Sequence, residues 1–246
     1  AMRVLRRQMG PDQPIYMVGY SNGAALAVDY SVSVVAGADL PRPAGLVLLS
    51  AAIGISRLAV VARTRTGISS LPGFGRAAWQ QIVQEFDPYK YSSFSFNAAG
   101  QTQRLTSGLA SRVERLARSR PIEGFPPVLA FQSTVDSTVR AEAVVDALLE
   151  HLAPGNHELV LFDVNRLAGA QALLVRDPGP LTARLLAMPA RTFALTVITN
   201  ATIETDRMKE LRAEPGSSRQ TSRALELTWP RDVFSLAHVA LPFPPD

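Results

Sequence analysis

Apolar and polar positions along this chain fall into short runs alternating with longer periodic blocks. Ile15-Tyr16-Met17-Val18 is a run rich in β-formers that stops at Gly19-Tyr20-Ser21-Asn22-Gly23. In the stretch that follows, Leu26, Tyr30 and Val34 recur at four-residue spacing until Gly37, which predicts a helix with those side chains on one face. Past the loop Asp39-Leu40-Pro41-Arg42-Pro43, the continuous run Gly45-Leu46-Val47-Leu48-Leu49-Ser50 reads as a strand buried on both faces. A strand, helix, strand order with a crossover of this length predicts parallel pairing and a right-handed connection. The alternation resumes at Pro127-Val128-Leu129-Ala130-Phe131. After it comes a helix whose apolar face is Ala141, Val144, Val145, Leu148 and Leu152, stopped by Pro154-Gly155. His157 to Phe162 reads as a further strand, Phe193 to Asn200 is an additional apolar segment, and Glu210 to Arg223 is polar. At the other end, Arg3 to Met9 looks like the end of a helix broken by Gly10-Pro11-Asp12.

Between Ala51 and Pro127 the alternation is interrupted by a helical insert. Trp79, Ile82, Val83 and Phe86 are read as one helical face, and Leu105, Leu109, Val113 and Leu116 as another. Phe86 to Asn97 joins them and holds Tyr89, Tyr91, Phe94 and Phe96. That aromatic cluster either lines a pocket for an acyl or alcohol group or packs the two helices together. The expected fold class is therefore α/β, a mostly parallel sheet flanked by helices, with residues 1–51 and 128–246 as the core and 52–127 as a helical cap.

At 246 residues and 47% hydrophobic composition, the chain is long enough to bury a sizeable core. Its longest apolar run, Ala44 to Ile55, is too short to span a bilayer and is interrupted by glycine and serine, so no transmembrane segment is expected. The absence of cysteine excludes disulfides, thiolate metal sites and thiol nucleophiles. The formal charge of +4 is unevenly placed, with ten Arg or Lys against four Asp or Glu between Ala52 and Pro127. Such a stretch could attract an anionic substrate or a membrane surface, with a solvated arginine-rich helix face as the plainer reading, and no nucleic-acid binding is inferred from it. No phosphate loop, dinucleotide fingerprint, metal-ligand pattern or internal repeat is present, so neither cofactor nor metal is expected.

The spacing Gly19-x-Ser21-x-Gly23 supplies the candidate chemistry. Such a string arises by chance in roughly one chain in ten of this size; its place between a β-forming run and a helix gives it weight. A nucleophile elbow needs a serine at a strained tip, with small residues two positions either side so that strand and helix approach without a Cβ clash. Asn22 would offer its backbone N–H at the start of the following helix, where a developing oxyanion is favoured. Asp136 falls in a loop just past the carboxyl end of a strand, where ligands bind in open α/β sheets; a helix N-cap is the other reading of an Asp there. Of three histidines, His151 sits in the last turn of a helix and His157 opens a strand, and both places have structural explanations. His238 lies in a Pro-flanked irregular segment after all the strands, as the base of a triad must if its loop returns to the sheet; a packing histidine in a C-terminal tail is the other reading.

Gly19 to Gly23, Asp136 and His238, in that order, resemble the α/β-hydrolase superfamily. The ending S-L-A-H-V-A-L-P-F-P-P-D and the motif F-D-P-Y-K-Y are similar to a group of bacterial serine hydrolases. The resemblance runs from Pro14 onward and implies an esterase or lipase-like enzyme acting on a small ester or thioester. In it Ser21 attacks an acyl carbonyl, His238 moves the proton, Asp136 orients the imidazole and Asn22 N–H holds the oxyanion. Tyr20, Tyr89, Tyr91, Phe94 and Phe96 would contact substrate. Two departures stand out: the loop after Phe162 reads Asp163-Val164-Asn165-Arg166 where a histidine is usual, and few residues precede the elbow, so the chain reads as the later part of a longer fold. These departures motivate an alternative, a catalytically silent hydrolase-like module that binds a ligand or partner. With no strand before the elbow, its strand is also expected to present an open edge for pairing with a second copy.

Overall fold

A computed structural model describes residues 1–53, 79–81, 94–136, 139–164 and 179–230, with 79–81 and 94–99 described by backbone alone. Helix α1 (Met2–Met9) buries no residue. Then follow β1 (Tyr16–Tyr20), α2 (Asn22–Val35) and β2 (Gly45–Leu49). A two-stranded pair, β3 (Trp79–Gln81) and β4 (Phe94–Ser95), leads into the long helix α3 (Phe96–Ala117). The chain continues through β5 (Val128–Ser133), α4 (Ala141–Ala147), a single 3₁₀ turn at Leu149–His151, β6 (Glu158–Asp163) and α5 (Gly179–Ala187). Strands β7 (Ala194–Asn200), β8 (Arg207–Ala213) and β9 (Gln220–Thr228) complete it.

The main sheet has seven strands in the order β1-β2-β5-β6-β7-β8-β9. Neighbours from β1 to β7 run parallel, as the strand, helix, strand pattern predicts, whereas β8 and β9 are antiparallel. Successive side chains along a strand point to opposite faces, and the faces differ. One face packs Leu46, Leu48, Val128, Ala130, Leu159, Leu161, Leu195 and Val197 with residues of α2, α3, α4 and α5 in a single core cluster. The other holds a smaller cluster around Val160, Ile198, Met208 and Trp229, with Phe131 and Phe162 stacked at 6.4 Å between ring centroids.

Several expectations change. β2 is not buried on both faces: Leu46 and Leu48 are, but Val47 and Leu49 are only half-buried, because the described helices cover one side. In α2 the buried residues are Ala24, Ala25, Ala27, Val28, Ser31 and Val32, while Leu26 is exposed and Tyr30 and Val34 are half-buried. Small alanines face the sheet because the turn at Gly19 brings the helix onto its own strand. Trp79 to Gln81 forms a strand paired with Phe94 and Ser95 instead of the helical turn its apolar spacing suggests. Ile82, Val83 and Phe86 lie outside the described residues. The second helical face is found as read: Leu109 and Val113 are buried in the main core and Leu116 packs against it. Arg112 pairs with Asp29 of α2 and donates to Ser33 Oγ at 2.8 Å, fastening α3 to the elbow helix. The polar stretch from Glu210 to Arg223 belongs to the β8–β9 hairpin.

Candidate active site

Ser21 stands between the last residue of β1 and the first of α2, with φ 50° and ψ −114°. That conformation is sparsely populated for a residue bearing a Cβ and costs about 1–3 kcal/mol, so surrounding structure must enforce it. Neighbouring chain does so. Ser21 N–H donates to Leu49 O at 2.9 Å, and Ser21 O accepts from Ala24 N, Ala25 N and, at 3.1 Å, from Ala52 N just beyond β2. Ser50 is itself left-handed, with φ 46°, and donates its N–H to Phe131 O at 2.9 Å. The chain leaving β2 thus turns sharply and returns a donor to the elbow.

The two flanking glycines are not equivalent. A Cβ on Gly19 would lie 2.6 Å from Ala24 N and Cα, so the close approach of strand and helix requires glycine there. A Cβ on Gly23 would meet nothing within 4 Å, which corrects the expectation that both positions must be small. Asn22 opens α2 and is exposed; its N–H belongs to the first turn, whose donors have no intrahelical acceptor.

Asp136 is buried in the loop after β5, at the carboxyl end of the parallel strands where Ser21 also sits. It does not cap α4, whose N-cap is Arg140. Its Oδ1 accepts Val139 N–H at 2.8 Å and its Oδ2 accepts from Gln132 Nε2 at 3.4 Å. Tyr20, the residue before Ser21, has its phenol pKa raised first by burial and then by the negative charge of Asp136. Thr134 ties the start of the loop to β6, its single Oγ1 proton shared between Phe162 O and Asp163 Oδ1, both at 3.2 Å. Asp163 Oδ2 accepts from Thr182 Oγ1 of α5 at 3.0 Å. Ser21 and the Asp136 loop thus stand at the same, carboxyl end of the parallel strands.

The two described histidines lie elsewhere. His157 precedes β6 at the opposite, amino end of the strands, buried, its Nδ1 accepting Val128 N–H at 3.2 Å. Burial lowers its pKa, a hydrogen bond to the Ala153 backbone opposing that in part, and the accepting Nδ1 fixes a neutral ring. His151 ends the 3₁₀ turn after α4, where its carbonyl accepts Ile122 N–H. His238, Tyr89 and Tyr91 fall outside the described residues, and Phe94 and Phe96 are placed by backbone only, in β4 and at the start of α3. Among the described residues, no group of His, Cys, Asp or Glu is placed to hold a metal ion, and no helix is long and apolar enough to cross a membrane.

Sequence reasoning missed Gln132, Ser50 and Ala52. Gln132 did leave a trace: with Val128 and Ala130 it occupies the core face of β5, where an amide is out of place unless something is bonded to it. Nothing in the run Leu48-Leu49-Ser50 marks Ser50 as left-handed.

No protein-family model matches the chain, and neither does any curated protein. Among solved structures it is similar to a monoacylglycerol lipase of Paleococcus ferrophilus, with 16% identity over 65% of this chain and 62% of that one and a TM-score of 0.44. It is also similar to a soluble variant of monoglyceride lipase from Saccharomyces cerevisiae in complex with a substrate analogue, with 13% identity over 64% of this chain and 55% of that one and a TM-score of 0.44. The chain spans less than two thirds of either structure.

Proposed function

We propose that this chain is a serine hydrolase cleaving carboxylic esters or thioesters of a hydrophobic acyl or alcohol group through an acyl-enzyme on Ser21. The observation that carries the reading is the enforced φ and ψ of Ser21 at a strand-to-helix tip, with the Asp136 carboxyl at the same rim. In the proposed reaction Ser21 Oγ attacks the acyl carbon while His238 takes its proton and delivers it to the leaving alkoxide or thiolate. Water then repeats the sequence on the acyl-enzyme and releases the acid. Asp136 orients the imidazole and stabilises its charge, and Asn22 N–H donates to the tetrahedral oxyanion. Residues 52–127 act as the cap, with Tyr20, Tyr89, Tyr91, Phe94 and Phe96 against the substrate. No metal or cofactor enters the proposed sequence.

A fluorophosphonate probe tests this directly, since attack by Ser21 Oγ on phosphorus expels fluoride and leaves a stable adduct. The intact protein is expected to carry one label on Ser21, and Ser21→Ala to carry none. Label that persists in the alanine variant removes the serine from its role.

A second reading, a silent module that binds a partner, is favoured by one observation. β1 ends the sheet among the described residues and exposes Tyr16, Val18 and Tyr20. A protein that takes no label yet associates with a second copy would fit that reading and exclude the first.

A further inference from the structure

We propose that Gln132 is a positioning residue that holds the carboxylate of Asp136 toward the elbow, a role that rests on the serine-hydrolase reading. Gln132 is the fifth of the six residues of β5 and is 1% exposed. Its Nε2 donates to Val139 O at 3.1 Å and to Asp136 Oδ2 at 3.4 Å, and Val139 N–H in turn donates to Asp136 Oδ1 at 2.8 Å. These contacts close a ring from strand to loop to carboxylate and back to strand, so Asp136 is fixed through both oxygens.

The orientation of the amide carries the argument. Gln132 Oε1 is buried with no hydrogen-bond donor among the described residues. Leaving a buried acceptor unsatisfied is unfavourable by about 1–3 kcal/mol. Turning the amide over would not relieve it, because Oε1 would then face two oxygens, Val139 O and Asp136 Oδ2, and the amino group would lose both acceptors. The strand therefore tolerates an orphan acceptor in order to aim two N–H bonds at the Asp136 loop. A side chain chosen for packing alone would be apolar there, as Val128 and Ala130 are on the same face. Among the described residues, Tyr20 from β1 is an ionisable group coupled electrostatically to Asp136. It is not altered by changing Gln132, so a change in the titration of the site reports on the Gln132 contact.

The test is the second-order rate of fluorophosphonate labelling at Ser21 as a function of pH. Gln132→Met keeps the length and removes the donors. It is expected to slow labelling about tenfold, the weight of one hydrogen bond to a charged group, and to shift the acidic limb to higher pH, because a carboxylate stripped of a donor is more basic and raises the imidazole it pairs with. Gln132→Glu, of nearly the same shape, is expected to shift that limb further, since two adjacent carboxylates resist ionising together. In an Asp136→Asn background, Gln132→Met should add little, as befits a residue acting through Asp136. Wild-type rate and limb in both single variants, or an undiminished effect in the Asp136→Asn background, overturns the role while the hydrolase reading stands. A wild-type protein without label at Ser21 overturns both.

Discussion

Gly19 and Gly23 occupy equivalent places in the motif but different places in the structure. Gly19→Ala would drive its methyl into the backbone of Ala24, 2.6 Å away, and the strand or helix must yield. Overpacking of this kind destabilises by about 1–3 kcal/mol, and here the displaced atoms belong to the elbow. The expected result is a lowered denaturation midpoint together with loss of Ser21 labelling. Gly23→Ala meets open space on a helix and should gain about 0.5–1 kcal/mol from helix propensity, with labelling retained. Comparing the two by chemical denaturation and probe labelling checks both statements. Sequence spacing made the sharp turn at Ser21 legible because the Gly-x-Ser-x-Gly pattern is local. It gave no warning about Leu49 and Ala52, whose backbone holds the elbow from the end of β2 and just beyond it, or about which glycine is sterically obligatory, since these depend on contacts across the sheet.

Secondary structure was readable where burial imposes a period. β5, β6 and the apolar faces of α3 and α4 follow their hydrophobic spacing because each lies against the core, whereas β1 was readable from its run of β-formers although Tyr16, Val18 and Tyr20 are exposed. The hairpin was not readable: in β9 eight of nine residues are exposed, so neither face is marked by apolar side chains. Pairing with β7, through six registered residues of β8, places it instead. The α2 face was misread because alanines, which carry little hydrophobic signal, form its contact surface. At this scale His157 joins β5 to β6, its Nδ1 accepting Val128 N–H, and its pKa is lowered from 6.5. A histidine harder to protonate when folded leaves stability unaffected above pH 6.5. As pH falls below that value, the unfolded chain takes up the proton first and stability declines until the folded pKa is passed. The expected outcome in urea titrations is a lower midpoint at pH 5.5 than at pH 7.5. His157→Gln, which still offers an acceptor to Val128, should show less of that difference.

For the whole molecule the uneven covering of the sheet matters most. Described helices α2 to α5 bury one face, whereas β1 exposes Tyr16, Val18 and Tyr20 at 63%, 69% and 44% on the other. An edge strand of this kind invites pairing. The protein is therefore expected to sediment above its 26.5 kDa monomer mass at micromolar concentration, and Val18→Lys to return it toward that mass; a wild-type monomer would exclude such pairing. The strand exposed in this way is also the one that leads into Ser21, whose bent backbone is gripped by Leu49 O at the end of β2 and by Ala52 N–H just beyond it. If β1 peels from β2, Ser21 is released from its bent backbone conformation. Any occupant of the side of β1 that has no partner strand among the described residues, if it holds the strand in place, therefore raises the fraction of molecules with the bent Ser21 backbone. Thermodynamic linkage runs both ways, so a reagent that binds only the bent serine would tighten that occupant's grip by the same factor.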